Sequence, residues 1–167
     1  MAEYSSFFNS EQGDRVYSAA DFANYFASFI RNGVITGTHF LRVMRTVGMG
    51  IRISAGRAFI NGYFYELRSG VPLDMTLAPS HATLSRIDRV VLRLDLRPSG
   101  RRIAAAVRTG VSAANPVAPV LQRDSQVWEI GLADVRINPG MTDLLGSNIT
   151  DIRDDPNLCG IITRIID

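Results

Sequence analysis

The chain has 167 residues, 46% of them hydrophobic and 20% charged, which suffices for one filled core and is too apolar for a disordered protein. The formal net charge is only +2, and no apolar run approaches membrane-spanning length. A single cysteine, Cys159, excludes an internal disulfide framework and any cysteine-based zinc cluster.

Residues 1–17 open as an aromatic, polar arm around Phe7 and Phe8, with a turn at Gln12-Gly13-Asp14. Ser18 reads as a helix N-cap, and Asp21 stands three residues on, in capping-box position. Phe22, Tyr25, Phe26, Phe29 and Ile30 follow at helical spacing, and Asn32-Gly33 reads as the C-cap pair. Such a stripe is expected to pack on the protein's own sheet; packing on another subunit is the alternative.

From Thr38 the period changes to two. Strands are predicted over 40–47 and 48–54, then a hairpin over 57–67 whose Asn61-Gly62 is the signature of a type I′ turn. Further strands are predicted over 71–77, 87–97, 102–109 and 127–137. In 87–97, Val90, Leu92, Leu94 and Leu96 share one face; Arg89, Arg93, Asp95 and Arg97 share the other, with Val91 the exception. Residues 111–126 read as a loop, kept extended by Asn115-Pro116 and Ala118-Pro119. In the last strand Trp128, Ile130 and Leu132 share a face. Residues 141–167 lose periodicity. The fold class is mainly β: a β-sandwich with an N-terminal amphipathic helix and an irregular C-terminal tail. Three segments are expected: an arm and helix (1–37), the sandwich (38–140) and a connecting tail (141–167).

Reactive constellations are scarce. His39 and His81 have no Cys, Asp or Glu at ligand spacing. Gly48-Met49-Gly50 leads into a strand pattern, whereas a phosphate loop leads into a helix. Asp151, Asp154 and Asp155 suit a solvated turn better than a calcium loop. No catalytic residue, cofactor or metal site is therefore expected. All eighteen basic residues are arginine. A GC-rich coding sequence explains this, and selection for bidentate contacts at subunit interfaces is the functional reading. The arginines are interleaved with acids, so no nucleic-acid partner is expected. The start of the chain lacks a signal-peptide pattern, so the product is expected to be made and first kept in the cytoplasm, without membrane insertion.

Several stretches resemble a known family. They are Tyr4-Ser5-Ser6-Phe7-Phe8-Asn9-Ser10, Gly13-Asp14-Arg15-Val16-Tyr17 and Asp21-Phe22-Ala23-Asn24-Tyr25-Phe26. Gly56-Arg57-Ala58-Phe59-Ile60-Asn61-Gly62-Tyr63 and Arg86-Ile87-Asp88-Arg89-Val90-Val91-Leu92-Arg93 follow, with Asn115-Pro116 and Leu132-Ala133-Asp134. In that order the chain resembles the N-terminal domain of tailed-phage baseplate and tail-fibre attachment proteins of Gram-positive hosts, notably the upper baseplate protein of lactococcal-type siphophages. The resemblance implies a structural virion protein of the tail baseplate, assembled in the host cytoplasm. It would be an oligomeric adaptor, itself a trimer or ring, anchoring a fibre or receptor-binding protein to the tail and touching other tail proteins. Family members usually continue into a long helical or fibrous region, whereas this sequence stops at Asp167. It is either a truncated domain or a stand-alone adaptor.

Hydrophobic residues outside the strand region are the expected oligomer or partner interface: Phe7, Phe8, Tyr25, Phe29, Leu158, Ile161, Ile162, Ile165 and Ile166. The alternative is a carbohydrate-binding β-sandwich that recognises a receptor, with exposed Tyr63, Tyr65 or Trp128 as a sugar platform.

Overall fold

The computed structural model describes residues 5–37, 40–71 and 73–163. Helix α1 (Ala19–Ala27) begins as its capping box predicts: the Ser18 hydroxyl accepts from the Asp21 amide at 3.3 Å, and the Asp21 carboxylate accepts from the Ser18 amide at 2.7 Å. It ends earlier than predicted, where the Ser28 hydroxyl donates to the Tyr25 carbonyl. The Asn32-Gly33 pair has another task. Gly33 opens strand β1 (Gly33–Ile35), where a Cβ would lie 2.4 Å from the Gly160 carbonyl oxygen. Asn32 clamps the turn at Asn61, its side-chain amide donating to the Asn61 side-chain oxygen at 2.9 Å and its own oxygen accepting from the Asn61 amide.

Strands β2 (Val43–Arg45) and β3 (Gly50–Ile53) form a hairpin, and Gly48-Met49 lies in its turn. Between Ile53 and Gly56 the chain changes sheet. Strands β4 (Gly56–Ile60) and β5 (Tyr63–Leu67) are joined by the two-residue turn, with Asn61 at φ 49° and Gly62 at φ 77°, both left-handed as a type I′ turn requires. Then come β6 (Leu73–Thr76), β7 (Arg86–Asp95), β8 (Arg102–Arg108) and β9 (Val127–Ile137), followed by the short β10 (Ile149–Asp151) and β11 (Ile161–Ile162).

Three sheets result, in the orders β11-β1-β4-β5, β10-β9-β7-β8 and β2-β3-β6. One core joins all three: Val34, Ala58 and Ile60 from the first, Val90, Leu92, Leu94, Ile130 and Val135 from the second, Val43, Ile51 and Ile53 from the third. Among the described residues the protein is a mainly β sandwich with one short α-helix.

Two sequence patterns resolve differently from their plain reading. In β9 the core face does not stay with the even residues. Val90 pairs with Ala133 and Val91 with Gly131, so Leu132 is the extra residue of a β-bulge. Beyond it the odd residues Ala133, Val135 and Ile137 face the core. In β7, Leu96 is off the core face and 38% exposed, because the strand ends at Asp95, whose carboxylate accepts from the Arg97 amide at 3.0 Å.

The charged side of β7 is covered as well, which explains the apolar Val91 there. Residues 110–124 cross it as a strap. Arg89 holds Asp134 on β9 through two hydrogen bonds of 2.7 and 2.8 Å, and its remaining nitrogen donates to the Pro119 carbonyl at 2.9 Å. Glu129 is fully buried and accepts from the Gln122 amide at 2.7 Å, with the Arg93 and Arg108 guanidinium groups each at 3.3 Å.

The expected boundaries at 37/38 and 140/141 are crossed by the sheets. β1 of the first segment pairs in parallel with β11 of the last, and β10 pairs with β9. Residues 141–163 are sparse in regular structure, as predicted, yet they are not a loose tail. Leu144, Ile152 and Cys159 are buried, and Arg153 is pinned over the Phe40 ring at 4.1 Å while donating to the Phe40 carbonyl. Burial pushes the Cys159 thiol up to about 12. The folded protein should therefore ignore a thiol reagent at pH 8. In the unfolded chain the thiol ionises at its ordinary value, so between about 9 and about 12 the unfolded state holds fewer protons and stability falls as pH rises. Cys159→Ala should flatten that alkaline limb in pH-dependent denaturation.

Candidate functional site

The feature that departs most from an ordinary sandwich is an aromatic face on the first sheet. It begins with parity in the hairpin. Ala58 and Ile60 turn into the core, so their neighbour Phe59 turns outward, and on β5 the directly opposite residue is Phe64. Their rings meet at 5.4 Å between centroids. Helix α1 lies across this outer surface, and its single buried residue is Ala23. The contact is close because the turn residue beneath it is Gly62, where a Cβ would fall 1.8 Å from the Ala23 carbonyl oxygen. A helix seated on its smallest residue leaves its large ones at the margins.

Those margins are aromatic. Phe26 reaches Phe59 at 6.3 Å, Tyr25 meets Phe26 at 5.7 Å and Phe29 at 5.2 Å, and Phe7 of the arm meets Phe22 and Tyr25, each at 5.0 Å. The rings form one continuous chain from Tyr17 to Phe64. Phe22, Tyr25, Phe29 and Phe64 are each about half exposed. Of the stripe's rings, Phe26 meets a ring of the protein's own sheet, and Ile30 is half-buried. Between helix and hairpin runs a groove of about 420 Å³ lined by Ala19, Phe22, Ala23, Phe26, Phe59, Gly62, Tyr63 and Phe64.

Of the expected interface, Phe7, Tyr25 and Phe29 are joined in this cluster, and Phe8 stands beside them under the Arg15 guanidinium at 5.3 Å. Leu158 is half-buried, its carbonyl accepting from the Gly131 amide at 2.9 Å. Ile161 and Ile162 are half-buried in β11, Ile161 against the core. Ile165 and Ile166 lie outside the described residues. Phe22, Phe26, Phe59 and Phe64 belong to the surface although they were not expected in it. The signal for the last two was their parity opposite to Ala58 and Ile60.

Tyr63, Tyr65 and Trp128 do not form one platform. The two tyrosines lean on the core from β5, and Trp128 leans on it from β9 with Arg123 over its ring at 5.5 Å. The His81 ring nitrogen accepts from the Thr83 and Leu84 amides, each at 3.1 Å, as a turn cap; His39 lies outside the described residues. Asp151 pairs with Arg153, which holds its carboxyl below the usual range, and Asp155 caps the Asn157 amide at 2.8 Å. Each buried carboxylate (Asp88 and Glu129) is taken up by arginine and backbone donors, an arrangement that fixes loops. Among the described residues no three metal-ligating side chains converge, and no helix is long and apolar enough to cross a membrane. No protein-family model and no curated protein matches the chain.

Proposed function

We propose that this protein is a structural, non-catalytic part of a phage tail baseplate, an oligomeric adaptor that anchors a fibre or receptor-binding protein to the tail. The resemblance of its sequence supports the phage context. The observation that carries the assembly role is the aromatic face, a helix docked by one alanine with its large rings left to solvent. A contiguous apolar patch of this kind marks an interaction surface, and a cyclic assembly of identical copies covers it repeatedly. Its partners are further copies of itself and neighbouring tail proteins, and its place is the virion.

Light scattering at micromolar concentration should report a species larger than a monomer. Covering one large ring is worth roughly 1.5–3 kcal/mol. The double substitution Tyr25→Ser and Phe29→Ser should therefore weaken association by on the order of a hundredfold, while far-UV circular dichroism keeps the β signal. These two residues are better probes than the C-terminal segment, whose removal would take β11 from its sheet. A monodisperse monomer at high concentration, alone and mixed with tail proteins, would sink the adaptor and promote the carbohydrate-binding reading, which a glycan-binding measurement would then decide.

A further inference from the structure

Among the described residues, the arm that precedes α1 is held to the domain by few contacts for a segment that carries two phenylalanines. From residue 5 to 17 nothing is buried, and Val16 is 88% exposed. Among the described residues, the ring that anchors it to the helix is Phe7, against Phe22 and Tyr25. The Tyr17 hydroxyl, which accepts from the Phe8 amide at 2.9 Å, ties the arm to itself. To return Phe7 to its own helix the chain reverses through Ser10–Asp14, where the Glu11 amide donates to the Asp14 carboxylate at 2.7 Å. That reversal places Gln12 at φ 56°; Phe7, before it, has φ 67°. Left-handed backbone suits glycine. For a residue with a Cβ it is disfavoured by roughly 5- to 30-fold, and a bulky side chain there is an outlier.

We infer that the arm is exchanged between copies, residues 5–9 of one subunit, swung out at the 10–14 reversal, placing Phe7 on the α1 stripe of the next. The inference rests on the oligomeric reading above and names what covers part of the aromatic face. An exchanged arm makes the same ring contacts as the closed one, so the two states differ at the reversal. Opening it frees Gln12 to return to negative φ, and the lost turn hydrogen bonds are exposed ones that water replaces. The closed arm is the strained state, favoured only at low concentration, where no neighbour's helix is within reach. The occupant of the Phe22–Tyr25 surface in the assembly is thus a second copy's Phe7.

The test keeps the full chain and replaces Phe7 with the photoreactive p-benzoyl-phenylalanine. Unlabelled and heavy-nitrogen-labelled copies are mixed under dissociating conditions, allowed to assemble, and illuminated. Trypsin cleaves after Arg15 and Arg31, so the arm and the stripe leave on separate peptides, 1–15 and 16–31. Exchange predicts that about half of the cross-linked pairs join one light and one heavy peptide, as random mixing of a swapped segment requires. Pairs of one isotope only, from particles that light scattering shows to be oligomers, would overturn the exchange and leave the oligomer standing. A monomer under the same conditions would overturn both. Gln12→Gly relieves the closed turn and should shift the exchange equilibrium toward the closed arm by about fivefold, lowering the mixed fraction. Gln12→Pro holds φ negative and should keep it at about half. The opposite order would also overturn the exchange.

Discussion

Asp88→Ala should lower the melting temperature by on the order of 10 °C, a loss of roughly 3–5 kcal/mol for a chain of this size. Asp88 is fully buried at the start of β7, on the face that continues as Val90, Leu92 and Leu94. Its carboxylate accepts from Arg86 Nε at 2.9 Å and from the Gly110 amide at 2.9 Å, the second bond anchoring the strap where it leaves β8. Arg86 is itself 5% exposed and donates onward to the Pro79 carbonyl at 2.6 Å. Removing the carboxylate leaves a buried guanidinium without a counter-charge and a backbone amide without an acceptor. Replacing both members, Arg86→Leu with Asp88→Leu, should recover a large part of the loss, because no charge is then left buried. Thermal denaturation followed by circular dichroism reads both. A single variant that melts with the wild type would show that the pair is not closed in solution.

The second large effect is Gly62→Val. The left-handed backbone alone costs a β-branched residue roughly 1–2 kcal/mol. Here the new Cβ also meets the Ala23 carbonyl oxygen at 1.8 Å, so helix α1 must lift from the hairpin, an overpacking cost of roughly 1–3 kcal/mol. Gly140→Val separates the two contributions, since Gly140 has φ 65° with nothing within 4 Å of its Cβ position. Gly62→Val should lose more stability than Gly140→Val and should also lose the aromatic near-ultraviolet signal of the Phe26–Phe59 contact. Equal losses would mean that the helix does not sit on the turn.

The second effect bears on how the aromatic face is built. The hairpin supplies Phe59 and Phe64 by strand parity, and Gly62 admits the helix closely enough for Phe26 to reach Phe59. A helix held a few ångströms farther away would present the same side chains as separate rings. The geometry of the surface therefore depends on one turn residue, and a loss of association in Gly62→Val would follow from the same displacement.

Local chemistry determined a good part of this protein from sequence alone. The Ser18–Asp21 capping box, the Asn61-Gly62 turn and the alternation of Val90, Leu92 and Leu94 depend on neighbours a few residues apart, and each forms as predicted. The mainly β class follows from them. What depends on distant partners was not legible. Gly33 reads as a helix cap because nothing nearby shows that Gly160 will approach it, and the burial of Arg89, on the charged face of its strand, is hidden because the strap that covers it is an aperiodic stretch some distance along the chain. The bulge at Leu132 inverts the faces of β9, and only pairing with β7 reveals it. The C-terminal residues, patternless by themselves, take their order from β1 and β9. The aromatic stripe on α1 was plain in the spacing of Phe22, Tyr25, Phe26 and Phe29, but which way it faced was a tertiary decision. One small residue, Ala23, could approach the glycine turn, and the rings were too large to share that contact.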